Sequence, residues 1–97
     1  MKKLLILLFS ILIAFNSYGE TKYNYYSNGQ IESEGNFKDD KKDGKWTWWN
    51  ENGQKSHEEN YKDGKEDGKW TKWDKNDLKI MESFFKDGVC ISGDCPD

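Results

Sequence analysis

The sequence predicts an all-β fold: a meander of three stacked β-hairpin repeats of 24 residues, forming an open, twisted antiparallel sheet. Three observations carry this. The stretch Phe37 to Gly53 returns 24 residues later as Tyr61 to Asp77, with ten of 17 aligned positions identical and no gap. Asn-Gly pairs at Asn28-Gly29 and Asn52-Gly53 mark hairpin turns, because both residues tolerate positive φ. Between the turns, side chains alternate with a period of two. Ile31, Ser33, Gly35 and Phe37 point one way, and Glu32, Glu34, Asn36 and Lys38 the other. A single hairpin cannot bury its own face, so copies must stack, and about three are the minimum for stability.

Ahead of the repeats, residues 1–19 read as a signal peptide cleaved after Gly19. Lys2 and Lys3 form a basic start, Leu4 to Phe15 an apolar run broken by Ser10, and Ser17-Tyr18-Gly19 a small-residue cleavage site. The apolar run is shorter than the ~20 residues a membrane span needs, and no cysteine stands at the cleavage site to take a lipid. An exported chain, periplasmic or secreted, follows.

Residues 20–88 hold the three repeats. In the first, Lys22 to Tyr26 pairs with Gln30 to Lys38. After a charged loop, Asp39 to Gly44, the second pairs Lys45 to Trp49 with Lys55 to Lys62. The third pairs Lys69 to Trp73 with Lys79 to Lys86, about six strands in all. Asp77 stands where the earlier turns have glycine and predicts a longer or looser turn. Leu78, Ile80, Met81, Phe84 and Phe85 enrich the third copy in apolar side chains, which suggests an end cap or a covered edge. Phe37, Tyr61 and Phe85 would line one face, and Glu34, Glu58 and Glu82 the other. Trp46 and Trp70, and Tyr25, Trp49 and Trp73, are period-locked columns three residues apart. A flat strand would send them to opposite faces, so a bulge is expected to bring them together.

From Glu20 onward the chain has 13 lysines, no arginine and 18 acidic residues, a net charge of −5. That balance repels phosphate backbones and lacks a polybasic cluster for anionic lipid, so nucleic acid and anionic membrane are disfavoured partners. Twelve aromatic residues, each able to bury ~150–250 Å², would have to build the core in place of aliphatics.

The repeat unit G-K-W-T-x-W-x-x-N-G-Q-K-x-x-E-x-x-Y-K-D-G-K-x-D-G closely resembles the bacterial variant of the MORN (membrane occupation and recognition nexus) repeat. The likeness runs from about Tyr23 to Gly88. It implies stacked hairpins used for binding and assembly and not for chemistry. Many short bacterial chains of this kind are grouped as toxin-antitoxin-type MORN-variant antitoxins. MORN proteins of eukaryotes are associated with phospholipid, which the acidic balance here opposes.

Candidate binding residues are the aromatic columns Trp46, Trp70, Tyr25, Trp49 and Trp73, which also suit a core, and Trp48. Trp48 has no aromatic counterpart, since Asn24 and Lys72 take its place in the other copies. An aromatic outside the period is the better candidate for a binding hot spot. The acid-and-glycine loops at Asp39 and Asp63 lack the six to eight oxygen ligands of a calcium site, so no metal is expected. No cofactor motif is present, and no paired acid, base and nucleophile suggest an enzyme. His57 sits in the column of Ser33 and Met81, so the repeat does not require it.

Residues 89–97 form a C-terminal tail in which Cys90 and Cys95 are expected to join as a disulfide, as an even pair in an exported chain. The function these readings favour is an exported, non-enzymatic module binding a protein partner, a second copy included, through a sheet face or edge strand. Glycan binding through exposed aromatics and toxin neutralisation are the alternatives.

Overall fold

The computed structural model describes residues 19–96, and the expected signal peptide up to Tyr18 lies outside the described residues. Eight strand segments follow in chain order: β1 (Glu20–Tyr25), β2 (Ile31–Lys38), β3 (Lys41–Trp49), β4 (Lys55–Lys62), β5 (Lys65–Glu66), β6 (Gly68–Trp73), β7 (Lys79–Lys86) and β8 (Val89–Gly93). They form one antiparallel meander in the order β1-β2-β3-β4-β6-β7-β8, with β5 beside β4 as the first part of the strand that β6 continues. No helix occurs among the described residues, and the sheet stays open.

Two corrections follow. Val89–Gly93, within the expected tail, pairs with β7 and adds a strand beyond the six expected. The charged loops are also shorter than expected. Only Asp39-Asp40 and Asp63-Gly64 turn, each with both φ values positive, and a third turn of this kind stands at Asp87-Gly88. Two consecutive positive φ values make the two-residue turn whose twist matches a hairpin. The lysines and acids after each turn therefore run on as strand.

At the other ends of the strands, each hairpin turns over three residues. The N–H of Gly29 donates to the Tyr26 carbonyl, that of Gly53 to Asn50, and that of Asp77 to Asp74. The third turn is neither longer nor looser. Asp77 takes φ +60°, against +89° and +90° for the two glycines, and the Asp74 carboxylate accepts the N–H groups of Asn76 and Leu78.

Register places the two faces. Glu34, Thr47, Glu58, Thr71 and Glu82 lie opposite one another across successive strands, and so do Ser33, Trp48, His57, Lys72 and Met81. The rows are offset by one residue and so point to opposite sides. The first side is polar. Lys55 and Lys45 reach Glu58 at 2.6 and 3.6 Å, and Lys79 and Lys69 repeat the pattern at Glu82. The second side is aromatic, with Phe37 edge-on to Trp46 and Trp70 between Tyr61 and Phe85.

Of the two expectations for the third copy, the covered edge is met, since β8 pairs along the outer side of β7. The end cap is not, since Leu78 and Ile80 are about three-fifths exposed and Phe84 is exposed.

Candidate binding face

The aromatic face is built by a repeated irregularity. Between Glu34/Thr47 and Asn36/Asp43 the register jumps, with extra residues on β3 around Gly44, whose φ is +83°. The ladder bond lost there is replaced by a side chain: the Trp46 indole N–H donates to the Asn36 carbonyl at 3.0 Å. One repeat later, Gly68 has φ +106° and the Trp70 indole N–H donates to the Asn60 carbonyl at 3.2 Å. The tryptophan of G-K-W thus both closes a bulge and covers the sheet, a reason for the repeat to hold it.

Trp46 is the one buried large hydrophobic residue among those described, at 3% exposure. Its indole lies across Gly35, where an added Cβ would fall 2.0 Å from the ring. The equivalent positions in the next copies are Glu59 and Ser83.

A second register shift stands between Trp48 and Trp49, and at the matching points Asn24/Tyr25 and Lys72/Trp73. The expected bulge is therefore present in each hairpin. Its effect on the columns is graded: Trp70 and Trp73 line one depression, Trp49 is half-buried with its carbonyl accepting the Tyr26 hydroxyl, and Tyr25 is 61% exposed.

Trp48 is half-buried and engaged within the sheet. It stacks on His57 with ring centroids 4.7 Å apart and planes 11° apart, and lies 5.7 Å from Trp46. The Lys42 ammonium sits 4.9–5.2 Å from the rings of Trp46, Trp48 and Tyr61, a cation over three π faces.

Beside this cluster the same face opens into a depression of about 530 Å³, lined among others by Trp70, Trp73, Met81 and Phe85, with His57 and Glu59 on the β4 side. Glu59 is 9% exposed and accepts the Tyr61 hydroxyl at 3.0 Å. Burial pushes its pKa up, against the pull of that hydrogen bond and of Lys42 and Lys72. Tyr61 is raised in turn, by burial and then by the Glu59 charge. Burial and then Lys72 push His57 down, so the imidazole is neutral at neutral pH.

Ser56, His57 and Glu59 adjoin one another, with Ser56 Oγ 2.9 Å from His57 Nδ1 and Glu59 4.0 Å from Nε2. This is not a working relay. The acid is beyond hydrogen-bond distance of the imidazole, and Lys72 opposes the imidazolium that general-base catalysis by histidine must form.

Sequence reasoning singled out the tryptophans but not Lys42, Glu59 or Lys72. The available signal was the repeat itself, since at these positions the copies disagree in charge: Lys42 against Glu66, Glu59 against Ser83, and Lys72 against Trp48. Cys90 and Cys95 are joined, with Cα atoms 5.7 Å apart. No group of three or more metal-ligating side chains occurs among the described residues.

Residues 21–39 and 42–63 match the MORN repeat variant, so this part of the chain carries repeats of that type. No curated protein and no solved structure matches the chain.

Proposed function

We propose that this MORN-repeat chain is an exported, non-enzymatic module that holds another protein, a second copy of itself included, through the free edge and aromatic face of its sheet. The observation that supports it most is the difference between the two edge strands, β1 and β8. At the C-terminal edge, Asp94 prolongs the pairing of β8 with β7: its carboxylate accepts the Glu82 N–H at 2.9 Å and its own N–H donates to the Glu82 carbonyl at 2.8 Å. The Ser83 hydroxyl donates to the Asp94 carbonyl, and the Cys90–Cys95 bond ties the segment back on itself. A short edge strand of five residues, closed on itself in this way, offers little length for further pairing.

The β1 edge has no such closure. All six residues of Glu20–Tyr25 are exposed, Tyr23 and Tyr25 by half or more, and β2 is the strand's one neighbour among the described residues. An extended strand of a partner can add there with main-chain hydrogen bonds. Export is supported by the leader-like residues 1–19 and is compatible with the disulfide. Toxin neutralisation is one form such binding takes, and a toxin gene adjacent to this one would select it.

The test is light scattering of the purified protein beside capture from the native cell envelope. Each is repeated with Tyr23→Pro, which removes a backbone donor and stiffens β1. We expect self-association or a captured partner, weakened by the substitution. A monomer that captures nothing, or binding indifferent to Tyr23→Pro, overturns the edge.

A further inference from the structure

We infer that the depression beside Trp70 is a receptor for one aromatic side chain of a protein partner, flanked on that partner by an acid. The inference rests on the protein-binding reading above and gives it a contact.

The molecule supplies its own template. In the second copy, Trp48 lies flat on His57 and beside Trp46. Moved on by 24 residues, those three positions are Lys72, Met81 and Trp70. Met81 and Trp70 keep an apolar seat, but Lys72 brings an exposed, flexible chain where Trp48 brought an indole. The result is the 530 Å³ hollow over Met81 and Trp70, deepened because Ser83 stands where the preceding copy has Glu59, with Pro96 also in its lining. A planar ring entering there would meet Trp70 and Met81 as Trp48 meets Trp46 and His57. A thioether against a ring is a favourable contact.

Charge selects what flanks the ring. Lys72 forms no salt bridge among the described residues, whereas Lys55, whose ammonium is 5.6 Å from the Trp73 ring, is already paired with Glu58. The acid deeper in the site, Glu59, is buried and hydrogen-bonded by Tyr61. The unpaired charge at the mouth is thus cationic. A neighbouring aspartate or glutamate on the partner complements it.

The test is an NMR titration of the protein with blocked dipeptides, following the indole N–H signals of Trp70 and Trp73 and the Met81 methyl. We expect Asp-Trp to shift these three signals saturably, binding about tenfold tighter than Asp-Ala and about threefold tighter than Lys-Trp at low salt. In Lys72→Trp, which installs the missing indole, the fold should be kept and the shifts lost. Failure of Asp-Trp to move these signals overturns the inference, as does unchanged binding by a folded Lys72→Trp. A trimer of N-acetylglucosamine moving them in place of the peptide also overturns it, in favour of a glycan. If Lys72→Trp does not fold, the titration of the unaltered protein decides alone. A partner captured equally by both proteins would leave the edge reading standing and remove this one.

Discussion

At Gly35 the need is for space. Its φ is unremarkable, but the Trp46 ring occupies the volume a Cβ would need, so Gly35→Ala must displace the one buried tryptophan from its bond to Asn36. Overpacking of this kind costs about 1–3 kcal/mol, and Trp46→Ala, which also leaves the Asn36 carbonyl unbonded, about 3–5 kcal/mol; urea unfolding followed by tryptophan fluorescence measures both. Glu59 predicts a pH effect of definite sign. Its folded pKa lies above the ordinary 4.5 because of burial, so its contribution to stability is present when protonated and is lost as pH rises through that range. Glu59→Gln keeps an acceptor for the Tyr61 hydroxyl and removes the charge. It should therefore be more stable than the parent at pH 7, with the difference closing as pH falls below about 4.5. A difference that instead widens toward acid would show that Glu59 is stabilised as a carboxylate.

At the scale of the hairpin, turn chemistry decides. Gly29 and Gly53 hold the left-handed position of their turns without strain, whereas Asp77 holds it at φ +60° with a side chain attached. Left-handed backbone disfavours most side chains, aspartate less than others, so Asp77→Gly should stabilise by about 0.5–1 kcal/mol, read as a rise in thermal midpoint with the turn bonds unchanged. The hairpins, their 24-residue period and their two faces were legible because turn glycines and alternation are local signals. The length of β3 was not. Lys41 to Gly44 reads as a charged loop by composition, yet once Asp39 and Asp40 complete a two-residue turn the following residues have no choice but to pair with Lys38, Phe37 and Asn36. The same blindness hid β8, since Val89–Gly93 follows an Asp-Gly turn of the kind already present at Asp63-Gly64. At the binding face, the tryptophans were visible as columns, but the hollow comes from what replaces a tryptophan at Lys72, and a substitution shows its meaning only when its neighbours across the sheet are known.

Taken whole, the molecule is a ribbon in which strong contacts run between neighbouring strands, so its stability should behave as a chain of local interfaces and not as one core. Trp46, Trp48, His57, Glu59 and Tyr61 concentrate on β3 and β4, while β1 and β8 have few buried groups. Opening should therefore begin at the ends, with free energies rising toward the middle. The disulfide gives the sharpest test, because it touches one end alone. Closing the short Cys90–Cys95 loop is worth roughly 2 kcal/mol in the chain-entropy picture. Replacing both cysteines by alanine should release that amount where β8 leaves the sheet. In native-state hydrogen exchange, amides of β8 and those of β7 that face it should lose protection by about 30-fold. Amides of β3 and β4 should stay within about threefold of the parent. A parallel loss in β3 and β4 would mean that the ribbon opens as a single unit.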